Sequence, residues 1–108
     1  MMPATPPNPK DPIPIHVDAD LQDLIPDYLE HRRLDVRTIG DAVAREDYRT
    51  IQTLGHRMKG EGAGYGFDAI SAIGAALEQA AQNGYAHEIR AHLSDLEDFL
   101  GRVTVVYD

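Results

Sequence analysis

Six of the seven prolines in this chain fall between Met1 and Pro14. That partition constrains the fold more than any other feature. Proline fixes φ and lacks a backbone donor, and a helix interior disfavours it by about 3 kcal/mol. Residues 1–16 therefore read as an extended, Pro-rich N-terminal arm. Residues 17–108 contain only Pro26 and read as one helical domain.

Within that domain, apolar residues recur at the spacings of an amphipathic helix. Asp18 or Asp20 can cap a short turn holding Leu21, Leu24 and Ile25. Pro26 suits the first turn of a long helix carrying Tyr28, Leu29, Val36, Ile39 and Val43. A second helix is expected from Asp47, a good N-cap, to about Ala63, with Tyr48, Ile51, Leu54, Gly55 and Met58 on its apolar side. Gly60, Gly62, Gly64 and Gly66 weaken a helix, and together they are read as the turn that follows. The third helix carries Phe67, Ile70, Ile73, Leu77, Ala80 and Ala81, and Asn83-Gly84 marks its stop. The fourth shows the clearest heptad, through Ile89, Leu93, Leu96, Phe99, Leu100 and Val103. Val105, Val106 and Tyr107 favour a strand, but a lone strand has no partner, so they are read as a helical end packed on the bundle. The expected fold is all-α: an antiparallel four-helix bundle with a short additional N-terminal helix.

Composition excludes several function classes. With 108 residues and 43% hydrophobic content the chain supports one core, built from Leu, Ile, Val and Ala because Trp is absent and Phe occurs twice. The absence of Cys rules out disulfides and thiolate zinc sites. His87 and His92 are five apart and share no helix face, so no metal site is expected. A net charge of -8 opposes nucleic-acid binding. No apolar run reaches the roughly 20 residues of a membrane span, and no signal-peptide core is present. A cytoplasmic protein with no membrane association is expected.

The chemistry concentrates in Leu54-Gly55-His56-Arg57-Met58-Lys59-Gly60. His56 and Lys59 are three apart and neighbours on a helix face. Gly60, one turn after His56, adds no side chain to crowd the imidazole. Stepping 100° per residue from the apolar line Ile51, Leu54 and Met58 puts His56 on the wet side, with Arg45, Arg49, Gln52, Lys59 and Ala63. An acidic chain thus carries a basic strip through one histidine. A nucleophilic nitrogen, a fixed cation and an open approach suit a phosphoryl group in transit, whose transfer depends on positioning and charge stabilisation. No P-loop or kinase loop is present.

This run, with Gly66, Phe67, Ile70, Ile73, Gly74 and Leu77 beyond it and Leu24 to Arg33 before it, resembles the histidine phosphotransfer (HPt) domains of two-component phosphorelays. The resemblance spans roughly residues 18–106. Glu61 departs from it, standing where the family more often has Ser or Ala. The resemblance implies that Nε2 of His56 is the phosphoacceptor and that Lys59 stabilises the phosphoryl group. It also implies that Glu78, by ungapped count, sits where members place a Gln or Glu near the histidine and can orient the ring. Gln52, Gly60, Ala63, Arg45 and Arg49 are the candidate binding residues.

The function this implies is a phosphorelay intermediate, accepting a phosphoryl group from a phospho-aspartyl receiver domain and passing it to another receiver. The chain would be a phosphoryl carrier without its own ATP-dependent kinase activity, and a monomer. Its partners would be receiver domains and a hybrid histidine kinase. No cofactor is expected on this chain, and Mg²⁺ is expected on the partner receiver. The alternatives are a non-catalytic helical binding module, or the phosphoacceptor domain of a larger hybrid or chemotaxis-type histidine kinase.

Overall fold

The computed structural model describes residues 11–108. The part of the expected arm at residues 1–10 lies outside the described residues. The elements run β1 (Ile13–Val17), a 3-10 turn (Ala19–Leu21), α1 (Ile25–Ala44), α2 (Tyr48–Tyr65), α3 (Asp68–Gln82), α4 (Ala86–Arg102) and β2 (Val103–Tyr107). The short connections make successive helices antiparallel neighbours. α1 packs on α2 and α4, and α3 packs on α2 and α4, which closes the bundle.

Local chemistry accounts for the helix ends. Pro26 lies in the first turn of α1. The Asp47 carboxylate accepts from the Thr50 backbone N–H and from its hydroxyl, at 3.2 and 2.7 Å, and so caps α2. Gly66 ends α2 in the left-handed region at φ 88°, which glycine adopts without Cβ strain. Ile39, Ile51, Met58, Phe67, Ile70, Leu77, Ile89 and Leu96 are fully buried between the four helices.

Three expectations are corrected. Gly60, Gly62 and Gly64 do not form the turn: α2 continues through them to Tyr65, and only Gly66 reverses the chain. Gly62 lies against α3, where a Cβ would come within 2.7 Å of the Ser71 backbone nitrogen, so this glycine serves helix contact and not chain reversal.

The short N-terminal helix is only the 3-10 turn capped by Asp18. Residues up to Ala19 are committed to backbone bonding with the C-terminal segment through Ala19 N–H to Asp108 O, leaving too few residues before Pro26 for an α-helix.

Val105, Val106 and Tyr107 are not a helical end. They belong to β2, which pairs in parallel with β1 in the register Ile13↔Val103 to Val17↔Tyr107. The partner comes from the far end of the chain, where proline density concealed a strand. Ile13, Ile15, Val17, Val103, Val105 and Tyr107 turn toward the core, and Pro14, His16, Thr104 and Val106 face outward.

Candidate functional site

The α2–α3 crossing builds the site from backbone contact. A Cβ at Gly55 would lie 2.7 Å from Glu78 N and from Gly74 O, and one at Gly74 would lie 2.6 Å from Lys59 N. Only glycine permits this approach. It sets Glu78, one turn beyond Gly74, beside His56, which follows Gly55. His56 Nδ1 and Glu78 Oε2 are 2.7 Å apart. Ser71 adds a second tie, its hydroxyl donating to the Lys59 carbonyl at 2.6 Å.

The two partners differ in exposure. The His56 side chain is 71% exposed and that of Glu78 only 18%. An ionised carboxylate only accepts, so Nδ1 carries the proton and donates it to Glu78. In the neutral ring the lone pair is then on Nε2, which has no partner among the described residues. Lys59 Nζ lies 4.0 Å from Glu78 Oε1, on the same carboxylate.

On another flank of His56, Arg49, Gln52, Thr53, Arg57 and Glu78 join the ring around an open cleft of about 380 Å³. Thr53 and Arg57 were not among the residues singled out from sequence. Their signal was the helix step: three before and one after His56, they border it on the side away from Lys59. Neither Arg49 nor Arg57 closes an ion pair among the described residues.

Gly60 and Ala63 are exposed on the same helix, and a Cβ at Gly60 would meet nothing within 4 Å. Arg45 does not share the helix that carries His56: it is the C-cap of α1, and its guanidinium sits 3.9 Å from Asp47.

Glu61, the departure noted in the sequence, has an intramolecular partner. Its carboxylate accepts from Arg32 Nη1 at 2.6 Å, tying α1 to α2. Arg32 is buried and lies 5.0 Å from the Tyr28 ring centroid. Its Nε is 2.9 Å from Asp35 Oδ2, close enough for an ion pair but without hydrogen-bond alignment. Burial pulls the Arg32 pKa down, but the hydrogen bond to Glu61 and the charge of Asp35 outweigh it and the net shift is upward. Burial dominates at Tyr28, whose hydroxyl is pushed up to about 12 against the opposing Arg32 charge.

The sequence profile described as Hpt domain matches residues 21–104, which contain the four helices and every residue of this site. The chain belongs to the Hpt domain family. An Hpt domain is a phosphotransfer module of two-component systems, and Hpt domains interact with receiver domains and histidine kinases. No curated protein and no solved structure matches the chain. No helix among the described residues is long and apolar enough to cross a membrane. No group of metal-ligating side chains gathers among the described residues of this Hpt domain.

Proposed function

We propose that this Hpt domain is a phosphorelay intermediate whose phosphoacceptor is Nε2 of His56. The observation that carries the reading is the asymmetry of the imidazole: Nδ1 is engaged by Glu78 at 2.7 Å while the ring stays open to solvent. A phospho-aspartyl receiver presents its acyl phosphate in line with Nε2. The Nε2–P bond forms as the O–P bond to the aspartate breaks, and the electron pair returns to the aspartate carboxylate. The ring becomes cationic and keeps its proton on Nδ1, where the Glu78 carboxylate stabilises the new charge. The reverse sequence passes the group to a second receiver.

Lys59 contributes a point charge toward the phosphoryl oxygens. Arg49 and Gln52 face the receiver's acidic pocket, and Gly60 and Ala63 keep the approach low. Mg²⁺ is supplied by the receiver. The chain carries the phosphoryl group without generating it from ATP, and a hybrid histidine kinase feeds the relay.

Labelled phosphoryl transfer from a panel of phosphorylated receivers tests this. The parent chain should take up acid-labile, base-stable label, and His56→Gln none, with its helical circular dichroism unchanged. Labelling of His56→Gln, or self-labelling by ATP and Mg²⁺ alone, would overturn the reading.

A further inference from the structure

The strand pair has two edges of unlike chemistry. Asp108 N–H donates to Val17 O, and Ala19 N–H donates to Asp108 O, so the backbone groups of Asp108 point at β1. Alternation along a strand then points Thr104 and Val106 the same way and turns Val103, Val105 and Tyr107 to the outer edge. The same rule turns Pro14 and His16 to the outer edge of β1. Pro14 has no donor to offer there, so that edge is blocked. The β2 edge has no such protection. Its sequence Val-Thr-Val-Val-Tyr contains neither charge nor proline. The Val103 N–H is taken by Phe99 O, but among the described residues no backbone partner meets Val105 or Tyr107 on that edge. A two-stranded sheet is marginal on its own, and parallel pairing is the weaker kind.

We infer that the free edge of β2 pairs antiparallel with β2 of a second copy of this chain, giving a closed twofold dimer with a four-stranded sheet. Three observations select the second copy as occupant. With Val105 of one copy opposite Val105 of the other, every outward residue meets an outward residue: Val105 exchanges two hydrogen bonds with its copy, and Tyr107 N–H donates to Val103 O in each direction. The same register sets Arg102, which already pairs with Asp98 in its own chain, against Asp108 of the other copy, which already holds its own His16, so the second copy adds an opposite charge to an existing pair at both ends of the strand. It also places the exposed Val106 beside Thr104 of the second copy. A twofold axis uses up both free edges and leaves only the proline-blocked ones, so the assembly stops at two. No strand residue lines the cleft at His56, so phosphoryl chemistry is untouched. This dimer departs from the monomer expected from the sequence.

Sedimentation of the full chain from micromolar to millimolar concentration should show a reversible monomer–dimer equilibrium. Val105→Pro removes an outward donor that no described residue of the single chain engages. It should weaken dimerisation about tenfold or more while circular dichroism and phosphoryl uptake stay at parent values. The chain has no cysteine among its 108 residues, so cross-linking has no background. Val105→Cys should form a disulfide with its own copy on mild oxidation, because directly opposed strand residues fall within disulfide reach. Thr104→Cys should cross-link with Val106→Cys and not with itself. A monomer throughout the concentration range, a dimer indifferent to Val105→Pro, open-ended assembly, or cross-linking in another register would each overturn the inference.

Discussion

Glu78 is the residue on which the site turns. Its carboxylate receives His56 Nδ1–H at 2.7 Å and has Lys59 Nζ at 4.0 Å, so one anion lies against both side chains. Glu78→Ala should slow phosphoryl uptake by about 10- to 100-fold, the scale of one charge-assisted hydrogen bond worth about 1.5–3 kcal/mol. Glu78→Gln keeps an acceptor without the charge. It should recover the ring orientation but not the stabilisation of the cationic phospho-imidazole, and so fall between parent and Ala in single-turnover transfer rates. Equal rates in all three proteins would leave Glu78 no part in the chemistry. Lys59→Ala should slow transfer less than Glu78→Ala, because the Lys59 side chain is 54% exposed and its charge is screened by water.

The α2–α3 pair is the element that delivers those side chains, and it does so through glycine. In Gly74→Ala the added methyl would meet the Lys59 backbone nitrogen at 2.6 Å, with no flexible side chain to yield, so the helices must part. The expected cost is about 1–3 kcal/mol of stability from overpacking, read as a lower Tm, together with slower transfer as Glu78 withdraws from His56. Gly60→Ala, which meets nothing within 4 Å, should raise stability by about 0.5–1 kcal/mol by removing an exposed helical glycine.

The start of α2 gives a pH test. The Thr50 hydroxyl and backbone N–H both donate to Asp47 and hold its carboxyl below the ordinary 3.8. A depressed carboxyl contributes stability that is complete above the unfolded value and is lost as pH falls through the folded one. Asp47→Ala should therefore melt lower than Asp47→Asn at neutral pH. The parent's advantage over Asp47→Ala should shrink below about pH 3.8, as the carboxylate that makes the cap takes up its proton.

At the scale of the whole molecule, charge is distributed against its average. A chain of net charge -8 exposes Arg49 and Arg57 beside His56 without ion-pair partners among the described residues, while Arg32, Arg33 and Arg102 are neutralised by Glu61, Glu30 and Asp98. The cationic cleft in an acidic surface can steer a negatively charged receiver pocket toward one face. Arg49→Glu should lower the association rate with a cognate receiver and flatten its salt dependence, with little change in dissociation, measured by stopped flow at two ionic strengths. Indifference of both quantities would move the docking surface away from α2.

The four helices were legible in the residue order because a helix is a local object: its bonds close within four residues, and its apolar period, Asp47 cap and Gly66 stop act over the same distance. The histidine, its lysine and the basic strip follow from the same periodicity on one helix, and the resemblance rested on that run. The tertiary structure decided what depends on residues far apart in the chain. The meeting of Glu78 with His56 rests on three glycines from two helices whose backbones touch. Gly62 serves helix contact because α3 lies against it, and α3 is remote from it in local periodicity. The partner of Val103–Tyr107 lay at the opposite end of the chain, in a segment whose prolines argued against a strand. Strand pairing is a non-local bond, and no period along the chain records it.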